Sequence, residues 1–165
     1  METKIASNRM ISILALYDLQ TGYFTRALEG ISDKDTHKRL DTKANHIAWL
    51  TGSLVQQRYD IANRLGVKGT QSANDLFKDN KGIQDDVQYP SLENFKKDWE
   101  KISPTLRDAL TSMTDKQLDE VIEMSPEFSM SSYELICFCT YREANCIGQI
   151  ALWRRLLGYP AMNYM

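Results

Sequence analysis

Residues 131–160 read SSYELICFCTYREANCIGQIALWRRLLGYP. One uninterrupted helix fits this stretch. Ser131 or Ser132 offers a hydroxyl to cap its first turn. Gly158-Tyr159-Pro160 ends it, because glycine takes the left-handed C-cap and proline cannot continue the ladder. Between those ends, from Tyr133 to Leu157, Phe138, Tyr141, Ile147, Ile150, Leu152, Trp153 and Leu156 surround the helix on almost every side. A helix that is apolar nearly all round must be enclosed by other helices or shared with a second subunit. The stretch therefore predicts a helical architecture, with this helix either its most buried one or the one shared with a partner.

The same period recurs upstream. Met10, Ile13, Leu14, Tyr17, Phe24 and Leu28 mark a first helix from about Asn8 to Glu29, ending at Gly30. Ser32-Asp33-Lys34-Asp35 can start a short turn. Asp41 reads as the N-cap of a second helix, whose stripe is Ile47, Leu50, Leu54, Ile61 and Leu65 and whose stop is Gly66. Ser91 caps a third, with Leu92, Phe95, Trp99, Ile102, Leu106, Leu110 and Met113 in line; Pro104, lacking an N–H, is expected to kink or divide it. Residues 66–90, rich in glycine and Asn/Asp, form the long connection, with one short helix around Asn74 to Phe77. Thr114-Asp115-Lys116-Gln117 is a capping box opening a short element with Leu118, Val121 and Ile122, broken at Ser125-Pro126. Alternating β-branched runs are missing, so little or no sheet is expected. These signals predict an all-α single domain over residues 1–165: a four-helix bundle with a long crossover between helices two and three.

Composition narrows the function classes. A chain of 165 residues with 42% hydrophobic and 25% charged residues, 8 Gly and 4 Pro can build a core and does not read as disordered. A net charge of −2 provides no electrostatic footprint for nucleic acid. No apolar run approaches a membrane span, and Met1-Glu2-Thr3-Lys4 opens no signal peptide. Three cysteines confined to Cys137, Cys139 and Cys146 cannot staple the chain, which points to the reducing cytoplasm.

Phosphate-binding glycine loops, nucleophile elbows and Cys-x-x-Cys pairs are all missing. His37, within Asp35-Thr36-His37-Lys38-Arg39, reads as a solvated surface residue. His46, near the start of helix two, is either a half-buried histidine satisfied by a neighbour or a metal ligand projecting between helices. Arg142, Asn145, Cys146 and Gln149 share one face of the last helix. Polar groups there must pair inside the protein, line a pocket, or meet solvent or a partner subunit. The candidate pocket is thus His46, Arg142, Asn145, Cys146 and Gln149. The aromatic residues Tyr17, Trp49, Trp99 and Trp153 read mainly as core, some of them as a pocket wall.

Asn45-His46-Ile47-Ala48-Trp49, the Glu143…Gly148-Gln149-Ile150 run and Arg154-Arg155-Leu156-Leu157-Gly158 together resemble the DinB-like superfamily. That resemblance implies a four-helix bundle with a long crossover, often dimeric. Many members hold a metal on one histidine of helix two and on two histidines four residues apart in a His-Glu-x-x-His-x-Gly-Gln run of helix four. By position the first ligand falls on His46, the second on Arg142 and the third on Cys146. Arginine offers no lone pair and would repel a cation, so the triad is degenerate. Cys139 lies about 10.5 Å along the axis from Cys146, too far for both sulfurs to share one zinc. No metal or other cofactor is expected; His46 and Cys146 would hold a divalent transition metal, zinc or nickel, if any is bound. The cysteines read as small apolar core residues, although Arg142 could lower the pKa of Cys146.

The expected role is small-molecule binding or interaction through a central pocket that has lost the metal triad. The alternative is a thiol-dependent transferase, or a metal-dependent hydrolase or isomerase with a rebuilt site; whether the chain is an enzyme at all is left open. A scaffold without a pocket is a third reading. Surplus apolar residues on the last helix, with Ile11 and Leu19 on the first, predict a homodimer through those two helices. The rival is a monomer whose segments 31–40 and 114–128 cover the same faces.

Overall fold

Side-chain caps and left-handed stops divide the chain into its helices. A computed structural model describes residues 4–165; Met1 to Thr3, part of the stretch read for a leader, lie outside the described residues. The elements are α1 (Met10–Leu28), α2 (Ile47–Arg64), α3 (Asn74–Phe77), α4 (Leu92–Thr111), α5 (Asp115–Leu118), β1 (Val121–Ser125), β2 (Phe128–Ser131) and α6 (Ser132–Leu156). Ser91 Oγ accepts the Asn94 N–H at the start of α4, and Thr114 with Gln117 and Ser131 with Glu134 form full capping boxes. Gly30, Gly66 and Gly158 end α1, α2 and α6 at φ of 72°, 87° and 88°. Among the described residues no helix is long and apolar enough to cross a membrane.

The protein is predominantly helical, with the two strands as its small sheet. Cross-links between the long helices give their directions. Tyr17 Oη donates to the Ser103 carbonyl and Trp99 Nε1 to that of Thr21, so α1 and α4 run antiparallel. Gln57 Nε2 donates to the Cys139 carbonyl and Trp153 Nε1 to that of Asn45, so α2 and α6 do likewise. The Arg9 guanidinium lies over the Tyr133 ring while Arg154 reaches the carbonyls of Ala27 and Glu29, which makes α1 and α6 parallel. By the same logic α2 and α4 are parallel, because Gly52 lies beside Phe95 and Arg58 reaches Ser103. A parallel pair needs a connection that returns the length of a helix, and residues 65–91 supply it.

Two expectations change here, and two pairs of alternatives each lose one branch. Asp41 is not the cap of α2; it sits at φ 58° in a loop, and His46 caps the helix by accepting the Trp49 N–H on Nδ1 at 3.1 Å. Val121 and Ile122 are not in a helical element: β1 and β2 pair antiparallel, Val121 opposite Ser131, turning at Pro126-Glu127. Pro104 does not divide α4, which continues as one helix; the carbonyl it leaves unbonded belongs to Glu100, an exposed residue whose backbone water can reach. The most buried long helix is α2, with thirteen of its 18 residues buried against nine of 25 in α6. Besides α4 and α6, α2 is covered by the connection, whose Phe77 packs over Gly52.

The middle of the core is polar. Arg58, fully buried, donates from Nε and Nη2 to the two carboxylate oxygens of Glu143, each at 2.8 Å. Its Nη1 donates to Thr21 Oγ1 at 2.9 Å and Ser103 Oγ at 2.7 Å. The guanidinium is sandwiched 3.5 Å from the Trp99 ring centre and 4.0 Å from that of Tyr17. One side chain therefore ties together α1, α2, α4 and α6.

Candidate functional site

The five residues nominated from sequence fall into three places. His46, buried, stands with His37 and Tyr89, ring centres 5.1 Å away in each case. His37 is half-buried and not a solvated surface residue; its Nδ1 lies 3.0 Å from Thr36 Oγ1. Segment 32–46 folds back over the start of α2, because Ala48 donates to the Thr36 carbonyl and Arg39 binds the carbonyls of Lys43 and Ala44. Burial, then the neighbouring His37, pushes the His46 pKa down to about 4, so its imidazole is neutral near pH 7.

Arg142 lies elsewhere along α2. Its Nη1 donates to Gln57 Oε1 at 3.0 Å and its Nη2 to Ser53 Oγ at 2.6 Å. Those partners lie two and three turns beyond His46. Cys146 is buried one turn from Arg142, whereas Asn145 and Gln149 are exposed and bonded to each other at 2.7 Å. Among the described residues His46 forms no hydrogen bond with Arg142, Asn145, Cys146 or Gln149.

Around Arg142 opens a cleft of about 590 Å³ between α2 and α6. One wall is the α2 stripe Trp49, Ser53, Gln56, Gln57 and Asp60, residues that recur at three- and four-residue steps and so share a face. The other wall is Leu135, Phe138, Cys139 and Arg142 of α6, with Asp79 to Lys81 of the long connection and Met124 of β1 at the rim. Gln57 is held from both sides, donating to the Cys139 carbonyl and accepting from Arg142. No carboxylate among the described residues lies within ion-pair distance of Arg142. Trp49 lines the same wall, and its indole N–H is buried without an acceptor among the described residues.

The donor set does not fit the metal that the family resemblance implies. His46 spends Nδ1 on its own helix, and the residues in the other two ligand positions are a guanidinium bound to Ser53 and Gln57 and a buried thiol. Among the described residues no three His, Cys, Asp or Glu side chains gather as a metal site requires. Burial raises the Cys146 pKa and outweighs the lowering influence of Arg142. Burial likewise pushes Cys139 up to about 12. Burial thus favours the neutral thiol at both positions.

Ser53 and Gln57 escaped sequence reading, whereas Trp49 is among the aromatic residues that read as core or pocket wall. Only a polar four-residue stride on α2 hints at Ser53 and Gln57, and solvated helix faces carry the same stride. No protein-family model matches the chain, and no curated protein does, so the functional reading rests on the geometry of this cleft.

Proposed function

We propose that the chain is a DinB-like four-helix bundle that acts as a homodimeric, metal-free small-molecule-binding protein of the cytoplasm, its ligand seated in the cleft between α2 and α6. The observation that carries this reading is Arg142: a guanidinium with neutral partners only, at the wall of a 590 Å³ cleft within the size range of ligand sites. The order of helices, with a crossover between a parallel pair, supports the bundle. Free cysteines support the compartment.

A fragment screen read by protein NMR tests the site. Ligands should shift the Trp49 indole N–H and the Gln57 side-chain amide; binding that moves neither, or a screen with no binder, overturns the reading. Elemental analysis showing close to one zinc or nickel per chain, lost in His46→Ala, overturns the metal-free part.

Exposed Ile11, Leu16 and Leu19 of α1 and Tyr141, Leu152 and Leu156 of α6, on two helices that lie side by side, support the dimer. Light scattering should give twice the 19.0 kDa of one chain, and Leu152→Glu should shift the mass toward the monomer. A wild-type mass of one chain, unchanged on concentrating, ends the dimer.

A further inference from the structure

We propose that the ligand of this cleft is an amphipathic monocarboxylate: a carboxylate bound by Arg142, with an alkyl chain running from there toward the β-hairpin. This rests on the cleft being the binding site and adds its chemistry. The polar groups around the head position are donors in need of acceptors. Arg142 uses two of its five N–H bonds on protein, leaving three. The Ser53 hydroxyl accepts from Arg142 and, among the described residues, donates to no protein acceptor. The Trp49 N–H is buried without a partner among the described residues. Three donors from residues that line one cleft, one of them charged, call for an anion, and the planar guanidinium matches the two oxygens of a carboxylate.

The tail follows from what adjoins the cleft. Ile61, Arg64 and Leu135 line both it and a second cavity of about 450 Å³ beneath the hairpin. That second cavity has a mixed lining, with Leu65, Met113, Val121 and Ile136 as its main apolar patch and Arg64, Gln117 and Glu120 among its polar residues. Leu135 lies seven positions before Arg142 on α6, about 10.5 Å along the axis, and the second cavity extends the path beyond it. Head and tail are thus separated by the length of a medium alkyl chain.

Calorimetry on the full-length protein with hexanoate, octanoate, decanoate and decanol, all below their micellar concentrations, tests the assignment. Affinity should rise severalfold with each added methylene. Decanoate should bind about 10- to 100-fold more tightly than decanol, the gain expected of a charge-assisted pair. Arg142→Met should erase that preference and Arg142→Lys restore part of it, with circular dichroism confirming that both variants fold. Leu135→Trp, which fills the junction of the two cavities, should flatten the chain-length series while sparing hexanoate. Equal binding of decanol and decanoate, a preference that survives Arg142→Met, or a chain-length series untouched by Leu135→Trp overturns the assignment. If the carboxylates fail while other fragments shift Trp49 and Gln57, the ligand class is wrong and the cleft stands. If nothing shifts them, the cleft reading falls as well.

Discussion

Glu143→Ala should be among the most destabilising single substitutions in this chain. The Arg58 guanidinium is fully buried, and of its four recorded hydrogen bonds two go to the Glu143 carboxylate. Removing that carboxylate leaves a cation in the core with only two hydroxyls and two aromatic faces around it. Stranding one partner of a buried pair costs about 3–5 kcal/mol. For a chain of this length that corresponds to a Tm lower by roughly 6–20 °C. The double variant Arg58→Met, Glu143→Leu should behave differently. Thr21 and Ser103 already donate their own hydroxyl protons to the carbonyls of Tyr17 and Trp99, so losing Arg58 leaves no donor unpaired. Methionine fills much of the volume and packs well between Tyr17 and Trp99. Apolar replacement of a buried pair is often neutral or stabilising, so the double variant should lie within about 1 kcal/mol of wild type. Urea titrations followed by circular dichroism provide both numbers, provided the m values agree. A single variant costing less than about 1 kcal/mol, or a double variant as costly as the single, would refute the argument.

Three further outcomes follow from the described geometry. His46 has a folded pKa near 4 against 6.5 in the free residue, so its contribution is intact above about pH 6.5 and is lost as pH falls toward 4, where the unfolded chain takes up a proton the folded chain refuses. His46→Asn keeps a good N-cap and should remove about 2–3 kcal/mol of acid sensitivity by pH 4.5; equal pH profiles for the two proteins would contradict this. Gly52→Ala should destabilise by about 1–3 kcal/mol although alanine is the better helix former, because the added Cβ would lie 2.1 Å from Phe77 Cζ and 2.7 Å from Phe95 Cε1. A higher Tm for this variant would show that the two rings yield. An aromatic disulfide reagent at pH 8 should leave Cys139 and Cys146 unmodified in the native protein, as mapped by mass spectrometry, and modify them on unfolding. Native labelling of either would contradict its raised pKa.

Helix existence and most helix ends were legible in the sequence because the signals are local. Ser91, Thr114 and Ser131 cap what they head, and the apolar stripe of α4 needs no distant partner to be seen. The start of α2 was misread because histidine resembles no ordinary cap, while Asp41 resembles one and lies in a loop. The hairpin was missed since β1 and β2 are short and mostly exposed, so neither shows a buried face with alternating apolar residues. Arg142 was legible as a polar residue on a largely apolar helix. Its partners were not, for Ser53 and Gln57 lie more than 80 positions away and look like solvated α2 residues. Arg58 is the clearest case: within Val55-Gln56-Gln57-Arg58-Tyr59 nothing announces a core residue, and its counter-charge lies 85 positions on.

The two sides of the cleft are not equally free to vary over evolutionary time. On α2 and α6 the residues that face it alternate with those that hold the core together: Gln57 precedes Arg58, and Arg142 precedes Glu143. A shift in either helix that reshaped the cleft would also move the buried ion pair. The rim is different. Asp79, Asn80 and Lys81 are surface residues, tethered to the body where Phe77 presses on Gly52. Substitutions and small insertions there can redraw the cleft mouth at little cost in stability. Divergence in ligand preference among descendants of this chain should therefore accumulate between residues 78 and 84, while the facing helices stay nearly constant.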